Sequence, residues 1–209
     1  MRVWKIAAAA VAGVAAWAFV DLNIPTRGSL REFDPMEVAR IETDMWRSYY
    51  ERKRGALFFQ LAGLLRRQFH MPFLRSHVTA FHAAKAAIVF QEGSSRVDYG
   101  KAVPYLIRYY EPILPWKEDV EKVAHLELEW WIVHRERNSR SQQDLELALA
   151  ELQGAIYREA AERFREHAHF RAEAMLLRDR QEKSPDWAEI RKQLEQAWVS
   201  LWRVAQASG

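Results

Sequence analysis

Apolar residues recur every three to four positions along most of this chain, which is the spacing that places them on one face of an α-helix. Long stripes of this kind begin at Val38, Phe73, Val120 and Trp187. No segment of the sequence alternates apolar and polar residues for long enough to indicate a β-strand. The pattern therefore predicts an all-α fold in which the four longest helices of a bundle form the core.

Helix-start residues and prolines divide the first half of the chain. Asp34 followed by Pro35 is a strong helix start, and the first stripe runs from there to Leu65 as one long helix. Pro72 separates it from a second helix over residues 73–90. This helix places one apolar set on a single side, with His77 inward: Phe73, His77, Ala80, Phe81, Ala84 and Ile88.

The second half of the chain adds the remaining predicted helices. Ser95 caps a short helix, and residues 118–137 form a Trp-rich central helix. Helical composition from Ser141 to about residue 180 is long for one globular helix, which predicts a break near residues 158–161. Ser184 and Pro185 start the last helix. Residues 34–209 are thus predicted to be one bundle domain of about six helices.

Residues 1–24 form a different kind of helix. Arg2 and Lys5 are followed by a run from Ile6 to Val20 without a charged or strongly polar side chain. At about 1.5 Å per residue, residues 3–22 span about 30 Å, which is the thickness of the bilayer core. The segment is predicted to be an uncleaved transmembrane anchor, and residues 25–33 are predicted to be a tether.

The N-terminus also permits other interpretations. Residues 16–18, Ala-Trp-Ala, have the form of a signal-peptidase site, and cleavage there would yield a secreted binding module that begins near Phe19. The cationic start favours a cytoplasmic N-terminus and a body on the outer, periplasmic side, although several arginines after the segment weaken that asymmetry. Both the anchor and the cleaved signal predict export of the rest of the chain.

Composition excludes several classes of function. With 49% hydrophobic residues and nine Trp, the 209-residue chain has ample material for one core. The sequence has neither a basic stripe nor a nucleic-acid motif, so no nucleic-acid partner is predicted. It has no cysteine, no phosphate-binding glycine loop and no G-x-S-x-G elbow. Disulfides, thiolate catalysis, nucleotide binding and hydrolase chemistry of that kind therefore have no support.

Periodicity places six ionisable residues on the inward faces of three predicted helices: Glu42, Glu127, His134, Glu166, His169 and Glu173. Glu166 and His169 form an E-x-x-H, a spacing that allows a carboxylate and an imidazole to ligate one ion. The set resembles the ligands of di-iron carboxylate helical bundles, and the spacing of Glu127 and His134 is closer to that of heme-oxygenase-like di-iron proteins. The resemblance covers the ligands alone. It implies iron or manganese as the cofactor, with Tyr49 near the metal.

The same residues also fit a buried polar network without a metal. A buried charge needs a partner, and the chain has enough arginine to supply one. Glu42 would then accept hydrogen bonds from Tyr49 or Trp46 or pair with an Arg, and His134 would bond to Glu127. The glutamates further along the chain, Glu166 and Glu173, would pair with Arg163 or find partners on a neighbouring helix.

Two functions of different classes follow from these observations. The first is a membrane-anchored accessory or scaffold subunit, held in the bilayer by residues 1–24 and docked on other subunits of a larger membrane complex. It depends on the anchor and on the incomplete catalytic machinery. The alternative is an exported metal-binding bundle, such as an oxidase, that uses the six residues as ligands. The sequence leaves open whether the protein is an enzyme.

Overall fold

The chain folds into helices connected by short loops. The structure, a computed structural model, describes residues 2–23 and 29–207, and within those ranges it contains no β-strand, which confirms the all-α class. An N-terminal helix, α1 (Arg2–Asn23), precedes a body of nine α-helices in the described residues. These are α2 (Pro35–Tyr50), α3 (Arg54–Gln68), α4 (Phe73–Glu92), α5 (Arg96–Gly100), α6 (Val103–Tyr110), α7 (Val120–Arg135), α8 (Gln142–Tyr157), α9 (Arg165–Arg180) and α10 (Trp187–Ala207).

The predicted helix starts are confirmed by their hydrogen bonds. The Asp34 carboxylate accepts from the backbone N–H of Met36 at 2.9 Å and of Glu37 at 3.3 Å, and α2 begins at the following proline. Ser141 and Asp144 form a reciprocal capping box at the start of α8. Each cap satisfies donors that the first turn of a helix leaves unpaired, so these residues fix where the helices begin.

The body has more helices than the predicted number of about six because three predicted segments are broken. The break near residues 158–161 is confirmed, since Arg158 has a φ of 54° and ends α8. The long first helix is wrong, because Arg52, with a φ of 56°, separates α2 from α3. The predicted short helix is likewise divided into α5 and α6. The breaks at Arg52 and Arg158 let the chain turn back, so that α3 packs on α2 and α9 packs on α8.

The core lies where α2, α9 and α10 meet and continues through α3, α4, α6, α7 and α8. Its fully buried side chains are mostly aliphatic and come from nearly every long helix of the body: Val38, Leu65, Leu106, Val123, Leu149, Leu152, Ile190, Leu194 and Leu201. Phe164, which follows the break after α8, is also fully buried. Burial of this apolar surface supplies most of the stability of the bundle.

The predicted tether is only partly described, because residues 24–28 lie outside the described residues. Residues 29–33 are attached to the body. Arg31 donates through Nη1 to the carbonyl of Ala205 at 3.0 Å, and the amide of Gln206 donates to the carbonyl of Arg31 at 2.6 Å. Phe33 is buried and packs edge-on against Trp198. This part of the segment is therefore held by the end of α10.

Helix α1 differs from the body in its exposure. The 20 residues Trp4–Asn23 have a mean hydropathy of 1.7, and only 6% of that window is buried, so the helix is long and apolar enough to cross a membrane. A signal sequence has the same properties. At its end, Asp21 is buried and accepts from the backbone N–H of Arg75 at 3.0 Å. Asp21 thereby caps α4, since Pro72 at the N-cap makes no side-chain bond.

Candidate functional site

A partly open cavity of about 310 Å³ lies among the helices of the body. Helices α2, α3, α4, α6, α7, α8, α9 and α10 all contribute to its wall. The wall is rich in aromatic side chains: Trp46, Tyr49, Tyr50, Phe69, Phe90, Tyr109, Tyr110, Trp130, Trp131, Tyr157 and Trp198. Three of the predicted site residues, Glu42, Glu127 and His134, also line it. The cavity therefore combines an apolar aromatic wall with a few ionisable groups.

Glu42 is fixed by two donors from different helices. Its side chain is buried, and Arg171 on α9 donates through Nη2 to Oε1 at 2.6 Å. Trp198 on α10 donates through Nε1 to Oε2 at 2.5 Å. The Arg171 guanidinium also lies 5.2 Å from the ring centroid of Trp130. Both carboxylate oxygens are thus occupied, and the predicted pairing of Glu42 with an arginine is what the structure shows.

Glu127 lies on the same wall and accepts from two neutral donors. The Tyr110 hydroxyl donates to Oε2 at 2.8 Å, and Trp131 donates through Nε1 to Oε1 at 2.9 Å. Burial alone would lower the pKa of Arg171, but the charges of Glu42 and Glu127 outweigh it and raise that pKa. One guanidinium therefore faces two carboxylates, and we call Glu42, Arg171 and Glu127 the Glu–Arg–Glu group.

His134 belongs to a second polar cluster. Its Nε2 lies 3.0 Å from an Asp179 oxygen, and both side chains are largely buried. Asp179 also pairs with Arg137 and Arg178, each at 3.3 Å. Burial opposes ionisation of Asp179, yet the hydrogen bond and charge of His134 with those of the arginines keep the pKa of Asp179 below its usual value. His134 is therefore bonded to Asp179, and the predicted bond to Glu127 is wrong.

The tyrosines of the wall remain protonated donors. Burial raises the pKa of Tyr50 to about 12, and the Asp179 charge adds to the effect. Burial and the Glu127 charge also raise the pKa of Tyr109 and of Tyr110. The tyrosines therefore present neutral phenol groups to the cavity. The formal charges on its wall come from Glu42, Glu127 and Arg171.

The structure does not bring the six predicted ligands together. Glu166 and His169 are exposed, and His169 Nδ1 lies 2.9 Å from a Glu146 oxygen. Glu173 accepts from the amide of Gln142 at 2.7 Å. Among the described residues, no group of three or more His, Asp or Glu side chains could hold a metal ion. Metal binding by the six residues therefore stays a prediction. Within residues 2–23 and 29–207 these side chains do not form a common site.

The residues that bond to Glu42, Glu127 and His134 are not identified by the sequence patterns. These partners are Arg171, Trp198, Tyr110 and Asp179. One feature could have identified Arg171, which lies three residues after Ala168 in the apolar face of α9. An arginine at an inward helical position indicates a buried acid nearby.

Compared with protein-family models, with curated proteins and with solved structures, the chain shows no significant match to any of them. The function therefore has to be inferred from the cavity, its charges and the exposed helix α1.

Removing one partner of the buried ion pair tests the Glu–Arg–Glu group. We expect Glu42→Leu to lower the free energy of unfolding by about 3–5 kcal/mol, because it leaves Arg171 buried with only the charge of Glu127 nearby. The double variant Glu42→Leu with Arg171→Met is expected to lose less, because it removes both charges. Urea unfolding followed by tryptophan fluorescence measures both. A double variant less stable than the single one would contradict this assignment.

The His167 side chain is 1% exposed and packs beside Trp198. Its Nδ1–H donates to the carbonyl of Ala197 at 2.8 Å, and burial, helped by the charge of Arg171, lowers the pKa of His167 to about 3. The unfolded chain binds a proton here below about pH 6.5 whereas the folded chain does not, so stability falls as the pH falls from there.

The variant His167→Gln keeps a donor but does not titrate. Between about pH 6.5 and 5, wild type should lose about 2 kcal/mol more of its unfolding free energy than the variant does. Urea unfolding at a series of pH values measures the difference. Parallel stability curves for the two proteins would contradict this assignment, because they would mean that His167 binds a proton as readily in the folded chain as in the unfolded chain.

Proposed function

We propose that the protein is a membrane-anchored accessory subunit whose helical body binds a small, mainly apolar molecule in its aromatic cavity. The observation that carries the proposal is the cavity itself. Its volume of about 310 Å³ falls in the range of about 300–1,000 Å³ that is typical of small-molecule sites. An apolar cavity of about 150 Å³ already accommodates benzene, so this one has room for a molecule of two fused rings.

The ionisable groups favour one charge type of ligand. In the Glu–Arg–Glu group, two carboxylates face one guanidinium, so the formal charge of the group is negative. The indoles of Trp46, Trp130 and Trp131 line the same space, and the face of an aromatic ring attracts a cation. These features support a flat ligand that is neutral or carries an amine, and they disfavour an anionic one.

Helix α1 supports the membrane and partner parts of the proposal. It is apolar, almost fully exposed and joined to the body through Asp21. Arg2 and Lys5 precede the apolar run, which favours a body on the periplasmic side of the membrane. An exposed apolar helix joined to a helical body supports an accessory or scaffold role on other subunits of a membrane complex.

Three naphthalene derivatives test ligand binding to the full chain. Because of the two carboxylates, we expect naphthalenemethylamine and 1-naphthol to quench the tryptophan fluorescence and to bind at least about tenfold more tightly than 1-naphthoate. The variant Ala84→Phe places a ring in the cavity and should weaken binding of the amine by at least about tenfold. Ala188→Phe, at an exposed position on α10, is the matched control. Equal binding of the anion, or equal binding by both variants, would contradict the proposal.

The accessory role is tested by the size of the particle that contains the chain. Membranes of the native host are solubilised in several mild detergents, and the protein is followed by blue native electrophoresis. We expect it to migrate in a complex larger than itself, because an accessory subunit stays with its partners under gentle conditions. Migration as a free monomer in every detergent would count against the role.

A membrane-impermeant maleimide applied to a Leu147→Cys variant, exposed on α8, reports the side of the membrane on which the body lies.

A further inference from the structure

The charge of the chain is unevenly distributed. From Arg52 to Gln91 the sequence has seven Lys and Arg residues and no Asp or Glu. The remaining 24 basic residues are outnumbered by 28 acidic ones, so this segment carries the entire positive excess of the chain. It contains the whole of α3 and all but the last residue of α4. A hairpin of two helices is thus basic and free of acids, in contrast with the interspersed charge elsewhere.

The first half of helix α4 buries three polar residues and exposes three large apolar ones, whereas its second half buries Ala86 and Phe90. Arg75, Ser76 and Thr79 are buried, with exposures of 8%, 0% and 2%. In contrast, Phe73 is 47% exposed, Val78 50% and Phe81 52%. The predicted inward orientation is therefore wrong for Phe73 and Phe81. In this half of the helix the distribution is the reverse of that expected on a water-soluble body, and it indicates that this side meets an apolar environment.

The exposed rings of Phe59 on α3 and Phe73 on α4 are linked through His77. Phe59 on α3 is 66% exposed, and its ring centroid lies 6.2 Å from that of His77. His77 in turn lies 4.4 Å from Phe73, ring to ring. Arg66 stands 5.6 Å from the Phe73 ring, so a cation borders the apolar surface. We call Phe59, Phe73, Val78 and Phe81 the α3–α4 face.

This face begins where the apolar helix α1 ends. Asp21 of α1 accepts from the N–H of Arg75, two residues after Phe73. A groove of about 960 Å³ lies between the end of α1 and the body. Four cations line it, Arg31, Arg75, Arg108 and Lys117, against a single acid, Glu111. Phosphate-sized anions are thus favoured beside the base of α1.

We infer that the α3–α4 face lies on the surface of an anionic phospholipid bilayer, the same membrane that α1 enters. The phenylalanine rings are placed to enter the boundary between headgroups and acyl chains, while the surrounding cations interact with anionic headgroups. A second copy of the chain fits this face less well, because exposed cations such as Arg54 and Arg66 would repel those of the other copy. The inference uses only the anchor of the proposed function and is independent of the cavity.

Single-cysteine variants of the full chain test the inference, because the natural sequence has no cysteine that would interfere. The variants Phe59→Cys and Phe81→Cys probe the face, and Leu147→Cys, 57% exposed on α8, is the control. Each is labelled with a nitrobenzoxadiazole fluorophore and reconstituted in nanodiscs that contain doxyl-labelled lipid. The discs are made of phosphatidylcholine alone or mixed with phosphatidylglycerol.

We expect the doxyl lipid to quench the labels at positions 59 and 81 at least about twofold more than the label at 147. The difference should be larger in discs with phosphatidylglycerol and should shrink at about 0.5 M salt, because salt screens the headgroup charge. Equal quenching at all three positions would overturn the inference. So would labels at 59 and 81 that are shielded but unquenched in a particle of doubled protein mass, which would identify a second copy as the occupant.

Charge-reversal variants isolate the electrostatic part. Arg54→Glu with Arg66→Glu, both exposed on α3, should abolish the effect of phosphatidylglycerol on quenching at position 81. Arg165→Glu with Arg203→Glu changes the net charge equally at exposed positions of α9 and α10 and should preserve it. An equal loss in both pairs would overturn the specific role of the hairpin.

The anchor is measured separately, as resistance of the chain to alkaline extraction from the same membranes. A chain that resists extraction but shows no preferential quenching keeps the proposed anchor and overturns the bilayer contact of the face. Extraction of the chain would overturn the anchor and, with it, the location inferred for the face.

Discussion

The ion pair between Glu42 and Arg171 is the constraint on which the arrangement of the body depends. The two residues are 129 positions apart in the chain, and the Trp198 indole adds a third helix to the same carboxylate. A buried charge without a partner is costly, so α2, α9 and α10 are stable only in the relative positions that let these groups meet. An apolar contact would tolerate sliding, whereas hydrogen bonds at 2.6 and 2.5 Å do not.

The same interaction explains why a space remains inside an otherwise dense bundle. Apolar side chains fill a core by adjusting their rotamers, but a carboxylate whose oxygens are both engaged cannot move to fill a gap. Glu127 is fixed in the same way by Tyr110 and Trp131. The large rings around these groups are therefore held apart at the polar end of the cavity. The proposed ligand site and the stability of the fold thus share the Glu–Arg–Glu group.

Local features of the sequence were sufficient for much of the fold and insufficient for the site. Asp34 and Ser141 fix helix starts because their caps involve only neighbouring residues. The break at Arg52 has no such signature, since arginine seldom adopts a positive φ. The E-x-x-H spacing relates Glu166 to His169 on α9, but it does not indicate which side of that helix is buried. In the structure His167 is buried, whereas Glu166 and His169 are exposed. Inward position made Glu42 a good candidate, but its partner is too distant in the chain to be predicted locally.

Helix α4 shows a further limit of periodicity, which groups residues on one face without identifying the medium that the face meets. In a soluble bundle the apolar side turns to the core, and that assumption makes Phe73 and Phe81 core residues. A chain anchored through α1, as proposed, has a second apolar medium available, the bilayer. Asp21 joins the two, because it takes the end of α1 to the first turn of α4. With a bilayer at that position, exposed phenylalanines and a basic, acid-free hairpin become mutually consistent, since rings and cations are what a lipid surface binds.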